Sequence, residues 1–236
     1  MSSVPYVLPI GDTISSAWEK VKGTKGSVWA AIGVIILFTI GFAIIQAVTK
    51  AVFPQLGSII NFISQVILGL MQIGIFYIGI RRALDSPFSW DMIFRVFDFN
   101  ITLKIIGLYI LEVLAFIPVA ALCLIGAAIS NSTISGAVII AAVLFIIAII
   151  AGIYLLVCLY PAMAFVLDKE FNSWHAFKSS FTATRGNFWS ILVLLVFQTV
   201  IIAISIFPLF GIGLIWSFPL MIILFGEIYK RLLVNI

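Results

Sequence analysis

Four polar side chains lie inside long apolar stretches of the sequence: Gln65, Gln72, Glu112 and Gln198. Glu112 lies about 12 residues into an apolar run, roughly 18 Å along a helix, which places it near the middle of a bilayer. Gln65 and Gln72 lie on either side of that depth in a second stretch, and Gln198 reaches it in a third. We therefore predict an intramembrane polar cluster of these four residues.

The carboxyl group of Glu112 has two competing interpretations. Burial of a charged carboxylate at this depth costs at least about 2.5 to 3.5 kcal/mol. A residue placed there at such a cost is a candidate functional site. It could be a proton- or cation-coupled site in a transport path. It could instead be a neutral acid that bonds to glutamine and holds helices together. No second acidic residue shares its depth, so we favour the structural role and keep transport as the alternative.

A second candidate set combines aromatic and basic side chains: Trp174, Lys178, Phe181 and Arg185, together with Lys22. Lys178 and Arg185 follow Trp174 by four and eleven residues, on the aromatic stripe of a predicted amphipathic helix. Cations on such a face need anionic partners or must extend to water. We predict a clamp for the headgroup of an anionic phospholipid. The alternative is that these cations only extend to bulk headgroups and mark topology.

Other chemistry finds little support in the sequence. Cys123 and Cys158 are predicted at opposite depths and therefore as free thiols, and the single histidine, His175, cannot supply a metal site with several protein ligands. Asp168 and Glu170 lie near His175, but a solvated turn explains this set better than catalysis. We predict no catalytic residue, no metal and no cofactor, and we rank a lipid-modifying enzyme a distant third.

The composition requires a membrane around these residues. Hydrophobic residues make up 64% of the 236, and charged residues only 9%. A soluble domain carries roughly a quarter charged residues. This excludes a soluble enzyme, a nucleic-acid-binding protein and a disordered chain.

Six apolar runs are long enough to cross about 30 Å of hydrocarbon. They cover residues 28–49, 57–80, 101–129, 134–167, 188–207 and 209–229. We predict an all-α, polytopic membrane protein with six transmembrane helices in one domain, 1–236. Pro161 is expected to kink the fourth run, and Pro208 to form the turn between the last two. In the second run, Ser58, Asn61, Gln65, Gln72 and Gly79 form one stripe that is predicted to face protein or water.

The basic residues predict the orientation. In a six-span arrangement every lysine and arginine except Lys50 falls on one side. The positive-inside rule then places both termini in the cytoplasm and the chain in the cell (inner) membrane.

Three tryptophans on the basic side suggest a threefold repeat. Ser16-Ala17-Trp18, Phe88-Ser89-Trp90 and Asn172-Ser173-Trp174 each begin a short amphipathic stretch that leads into a span. We predict three interfacial helices and repeat units 12–80, 86–167 and 171–233. In the second unit, Ser86 and Pro87 predict the helix start, followed by a lipid-facing stripe. The stripe comprises Trp90, Ile93, Phe94 and Phe97.

About 28 residues carry a family resemblance. They read Tyr160-Pro161-Ala162-Met163, Leu167-Asp168-Lys169, Phe177-Lys178-Ser179-Ser180-Phe181 and Arg185-Gly186-Asn187. This stretch resembles the bacterial inner-membrane proteins of the YciC type, which are related to the membrane domain of some glycerophosphodiester phosphodiesterases. The resemblance implies a six-helix membrane protein without an assigned molecular activity.

The sequence thus favours a non-enzymatic membrane protein that organises or senses lipids or partner membrane proteins through its interfacial helices. The expected partners are membrane lipids, anionic phospholipid above all, with other membrane proteins or a second copy as further candidates, but no nucleic acid. The alternative is a small transporter or channel around Glu112.

Overall fold

The computed structural model describes residues 7–132, 136–207 and 211–236, and this part of the chain is almost entirely helical. The α-helices are α1 Ile10–Val21, α2 Lys25–Val52, α3 Pro54–Ala83, α4 Phe99–Ser130, α5 Ala137–Leu159, α6 Ala162–Lys169, α7 Ser173–Thr184, α8 Phe188–Ile206 and α9 Leu214–Leu232. A 3₁₀ helix, Trp90–Phe97, lies between α3 and α4, and a shorter one, Leu233–Asn235, ends the chain.

Five helical segments are long and apolar enough to cross a membrane within the described residues. They are α2, α3, α4, the α5–α6 segment Ala137–Lys169, and α8. Their positions confirm the first five predicted runs and an all-α, multi-pass membrane architecture. The sixth run corresponds to α9, which has 19 residues and carries Glu227, Lys230 and Arg231 in its last turns. The turn predicted at Pro208 lies outside the described residues.

Pro161 interrupts the fourth predicted run. The helix α5 ends at Leu159, and α6 begins at Ala162 with Pro161 as its N-cap residue. Proline has no backbone N–H to continue the helical bonding, so the chain changes direction here. The prediction of a kink is confirmed, and the short α6 that follows is buried from Ala164 to Leu167.

The second predicted interfacial helix is wrong in type and in its start. The chain forms a 3₁₀ helix that begins at Trp90 after Ser89, whereas Ser86 lies in the preceding loop and donates its backbone N–H to the Arg81 carbonyl oxygen. Side chains three residues apart overlie one another in a 3₁₀ helix. Ile93 is therefore buried together with Val96, whereas the other three residues of the predicted stripe, Trp90, Phe94 and Phe97, are exposed.

The core lies at one end of the bundle, which we call the basic end. Here α1, α6, α7 and the 3₁₀ helix Trp90–Phe97 pack against the ends of α3, α4 and α9. The largest fully buried side chains, Tyr229 and Phe165, lie in this core and contact each other edge to face at 5.2 Å. Towards the opposite end, α2, α4 and α5 expose most of their apolar side chains, as helices in lipid do. Both cysteines are free, as predicted.

Candidate functional site

The predicted intramembrane polar cluster does not form. Gln198 accepts a hydrogen bond from the Tyr160 hydroxyl at 3.1 Å and donates one to the Met221 carbonyl oxygen at 3.3 Å. Glu112 is half-buried on α4, and Gln65 and Gln72 are exposed on α3. All four residues are described, and no hydrogen bond joins any two of them. Gln198 instead ties α8 to α9 and to the end of α5.

The cluster fails because α3 uses a different face for packing. The predicted polar stripe leaves Ser58, Asn61, Gln65 and Gln72 exposed, and only its last member, Gly79, is buried. The buried face of α3 is made of small and apolar residues such as Gly74 and Ile78. The stripe therefore does not pack against the other described helices, and its contact with water stays a prediction. The predicted central position of α3 agrees with its packing against α2, α9, α6 and the 3₁₀ helix Trp90–Phe97.

The aromatic residues of α7 form an outward ridge at the basic end. Trp174 is 62% exposed and stacks on Phe177 at 6.0 Å between ring centroids, and Phe177 contacts Phe181 at 5.2 Å. The opposite face of α7 is buried and consists of small residues, including Ala176, Ser180 and Ala183. Small residues allow close helix packing, so Trp174 and Lys178 remain exposed, while Phe177 and Phe181 are half-buried.

Two cations border this aromatic ridge without a protein partner. Among the 13 lysines and arginines, all of which are described, four make no side-chain hydrogen bond, ion pair or ring contact. These four are Lys22, Lys50, Lys178 and Arg185. Lys178 and Arg185 are both exposed, and Arg185 is the first residue beyond α7. The remaining nine lysines and arginines contact other groups of the protein. Lys178 and Arg185 make no such contact, so their side chains are available to a ligand.

Lys22 does not belong to the same site. The segment before α1 bonds to the turn that follows α7, because the Leu8 N–H donates to Asn187 Oδ1 at 2.7 Å. Lys22 follows the other end of α1, about 18 Å along the helix axis, where its carbonyl oxygen accepts a bond from Arg82 at 3.2 Å. The structure therefore separates Lys22 from Lys178 and Arg185.

An ionic network that the sequence did not predict lies at the basic end. Glu227 of α9 is only 2% exposed, and its Oε1 lies 2.8 Å from Lys20 Nζ of α1. Lys20 Nζ also lies 3.0 Å from Asp85 Oδ1, just after α3, and Lys230 Nζ lies 3.1 Å from Asp85 Oδ2. Both lysines donate to the carbonyl oxygen of Ala83, at 2.7 and 2.8 Å. The network ties α1, α3 and α9 together.

The same network shifts two pKa values. Hydrogen bonds from Lys20 and Lys230 hold the pKa of Asp85 below its usual value. Burial acts to lower the pKa of Lys20, but hydrogen bonds and charge attraction from Glu227 and Asp85 outweigh it and raise that pKa. Both shifts favour the charged forms. Sequence spacing gives no signal for this site, since Lys20 and Glu227 lie far apart in the chain.

A polar cleft of about 740 Å³ opens at the basic end between α3, α4, the 3₁₀ helix Trp90–Phe97 and the end of α6. Its charged lining residues are Arg81, Arg95, Asp91, Asp98, Asp168 and Glu170. The set Asp168, Glu170 and His175 is not assembled as one site. Asp168 accepts from the Tyr229 hydroxyl at 2.7 Å, Glu170 pairs with Arg95 at 2.7 Å, and His175 packs on Phe171.

The fold and these surfaces define the class, a multi-pass α-helical membrane protein. Comparison of the chain with protein-family models, with curated proteins and with solved structures found no match. The resemblance to YciC-type proteins therefore stays a prediction.

Proposed function

We propose that this chain is a non-enzymatic inner-membrane protein that recognises anionic phospholipid through α7 and the residue that follows it. The observation that carries the proposal is the pair Lys178 and Arg185, two exposed cations without protein partners beside the exposed Trp174 and the half-buried Phe177 and Phe181. Such a surface suits the headgroup region, where aromatic rings set the depth of a helix and cations contact phosphates. Lipids or neighbouring membrane proteins would be organised along this face.

The proposal includes six spans with both termini in the cytoplasm. The uncharged part of α9, residues 214–226, extends about 20 Å, and the charged last turns bring the whole helix to about 28 Å. Its charged residues lie at the basic end, where neighbouring helices pair them, so they need not enter lipid. The excess of lysine and arginine at this end supports a cytoplasmic location. Cysteines introduced at Ser3 and Asn235 should both be protected from an impermeant thiol reagent in intact cells, and labelling of either from outside would overturn the orientation.

A lipid-retention measurement tests the headgroup proposal. The full chain in detergent is mixed with phosphatidylglycerol, and bound lipids are counted by native mass spectrometry. Each cation near an anionic surface contributes about 1 kcal/mol, so Lys178→Gln with Arg185→Gln should reduce phosphatidylglycerol retention roughly tenfold to thirtyfold. The matched control is Lys50→Gln, which removes another unpartnered cation at the opposite end of the bundle.

The outcomes of this measurement are distinct. Loss of phosphatidylglycerol in the double variant but not in Lys50→Gln supports recognition at α7. Equal loss in the double variant and in Lys50→Gln would assign the effect to overall charge and contradict recognition at α7. Identical adducts in all three proteins would leave Lys178 and Arg185 as topology signals only. The transport alternative gains no support from hydrogen bonding, because no hydrogen bond joins any two of Glu112, Gln65, Gln72 and Gln198, all of which are described.

A further inference from the structure

An apolar groove of about 480 Å³ lies between α3 and α4 in the half of the bundle nearer the basic end. Its buried floor includes Leu70, Ile73 and Ile105, and its exposed rims include Ile106, Ile110 and Val113. Apart from Gln65 and the Tyr109 hydroxyl, the lining is apolar. Along α3 the groove extends from Gln65 to Ile73, about 12 Å at the helical rise, so it has the length of part of one leaflet.

The groove exists because two elements hold α3 and α4 apart. The 3₁₀ helix Trp90–Phe97 and α6 each pack against both long helices at the basic end. Gly69 of α3 leaves open space beside the groove, since a Cβ built at this position meets no atom within 4 Å. A Cβ at Gly69, which lines the groove, would therefore occupy open space.

The polar cleft lies about one helical turn beyond the groove, towards the basic end. Tyr77 of α3 lies one turn beyond Ile73, and Ile101 of α4 lies one turn before Ile105. Tyr77 and Ile101 line the cleft, whereas Ile73 and Ile105 line the groove. Residues four apart share a helix face, so the two cavities follow the same faces of α3 and α4. A single ligand with an apolar tail and a polar head matches this sequence of surfaces.

Several charged side chains of the cleft already have protein partners. Glu170 pairs with Arg95, Asp168 binds the Tyr229 hydroxyl, and Asp98 caps α4 through the N–H groups of the next turn. Asp91 is exposed and makes no hydrogen bond or ion pair with any described residue. Arg81 places only its Nε on a protein acceptor, the Pro87 carbonyl oxygen at 3.3 Å, although a guanidinium has five donors.

We propose that groove and cleft together bind one aminophospholipid of the phosphatidylethanolamine type. One acyl chain lies in the groove between α3 and α4. The phosphate accepts hydrogen bonds from the free donors of Arg81, and the primary ammonium donates to the Asp91 carboxylate. This site is separate from the ridge on α7 and selects a different lipid, so either proposal can fail alone.

The charges of the cleft favour an aminophospholipid over other headgroups. Two arginines and four carboxylates give the lining an excess of negative charge, which repels a headgroup that carries only a phosphate. A quaternary ammonium, as in phosphatidylcholine, has no N–H to donate to Asp91. A primary ammonium has three N–H donors, and a hydrogen bond between charged groups is stronger than a neutral one.

The first test fills the groove. The full chain in detergent is incubated with phosphatidylethanolamine, phosphatidylcholine and phosphatidylglycerol of identical acyl chains, and adducts are counted by native mass spectrometry. Gly69→Leu should reduce phosphatidylethanolamine retention by about tenfold, because the acyl chain loses the apolar surface of the groove. The matched control is Gly33→Leu, which also places leucine in open space on a helix, outside the groove. Equal retention in Gly69→Leu and the parent would overturn the proposal.

The second test changes the headgroup contacts. Asp91→Asn should reduce the preference for phosphatidylethanolamine over phosphatidylglycerol by about fivefold to tenfold, and Arg81→Gln should reduce retention of phosphatidylethanolamine itself. Asp91 has no structural partner, so its variant should fold even if Arg81→Gln does not. An unchanged lipid preference in Asp91→Asn would exclude the assigned headgroup. Lys178→Gln with Arg185→Gln should leave phosphatidylethanolamine retention unchanged, which separates this site from α7.

Discussion

On its side towards α9, α3 packs so closely that no side chain fits between the backbones. A Cβ on Gly226 would lie 2.7 Å from the carbonyl carbon of Gly79, and one on Gly79 would meet the Ile222 carbonyl group. On its side towards α4, the same helix leaves an open groove, where a Cβ on Gly69 meets nothing within 4 Å. Glycine therefore has opposite consequences on the two sides. It permits contact with α9, and it leaves space for a ligand beside α4.

The closed side is also the side with the ionic network. Lys20, Asp85 and Glu227 join α1 and α9 to the end of α3, next to the close contact of the two glycines. The open side has an apolar lining and a cleft whose Asp91 is unpaired among the described residues. We infer that the closed side provides rigidity, and that lipid occupies the open side.

Among the substitutions on the closed side, replacement of Lys20 should lower the free energy of unfolding most. Lys20→Met keeps the length of the side chain but leaves Glu227 nearly without compensation, since its other cation, Arg231, lies 3.9 Å away. Removal of one partner of a buried pair costs about 3 to 5 kcal/mol. Thermal unfolding in detergent should show this loss, whereas Lys22→Met, two residues away and without a side-chain partner, should change the free energy of unfolding by less than about 0.5 kcal/mol. Equal stability of both variants would show that the network contributes nothing.

A pair of alanine substitutions compares the two sides of α3 directly. Gly79→Ala should destabilise the protein by about 1 to 3 kcal/mol, because the new methyl group forces α3 and α9 apart. Gly69→Ala should instead stabilise it by about 0.5 to 1 kcal/mol, since alanine is the better helix former and meets no atom. Thermal unfolding of the two variants measures the difference. A similar loss in both would contradict the contrast between the sides.

The sequence predicted the positions of the membrane-spanning helices far better than the contacts between those helices. Run length located the five candidate spans to within a few residues, because crossing hydrocarbon requires a long apolar stretch. Pro161 predicted a break for a local reason, the missing backbone donor. The sequence also pointed to Lys178 and Arg185, since a charge on an apolar helix face stands out, and both are exposed; their contact with lipid stays a prediction.

The polar stripe of α3 illustrates what the sequence could not give. The stripe that includes Gln65, Gln72 and Gly79 was predicted to face protein or water, but of these three only Gly79 is buried. At Gly79 and Gly74 the helix packs closely because glycine is small, and polarity plays no part. Helix association in membranes depends on close approach at small residues, and several faces of α3 offer them. The partners of Glu227 and Gln198 lie on distant helices, so only the fold reveals them.

Acid should weaken the closed side by a smaller amount. The folded pKa of Asp85 lies below its usual value, so its contribution is complete above about pH 4 and is lost as the pH falls through the folded pKa. The pKa of Lys20 is raised, so its contribution persists up to about pH 10 and is lost above it. Asp85 is 62% exposed, which keeps the effect modest.

Asp85→Asn isolates this acid-dependent contribution. Asp85 has φ 54, a conformation that asparagine tolerates well, so the backbone should be preserved. The variant should have a lower unfolding temperature at pH 7 and a smaller further decrease below pH 4 than the parent protein. The same acid-dependent decrease in both proteins would assign it to other carboxylates.

Replacement of Glu112 should change the thermal stability least, and it tests whether this residue contributes to helix packing. The sequence predicted that Glu112 holds helices together through glutamine, but it makes no hydrogen bond within the described part of the chain and is only half-buried. A leucine there loses no protein hydrogen bond, and it removes a group whose charged form costs about 2.5 to 3.5 kcal/mol in hydrocarbon. We therefore expect Glu112→Leu to be at least as stable in thermal unfolding as the parent and as Glu112→Gln, which keeps the polarity. A loss above about 1 kcal/mol in the leucine variant alone would restore the structural role predicted from the sequence. Equal stability together with the disappearance of a proton- or cation-dependent flux in reconstituted vesicles would instead favour the transport alternative.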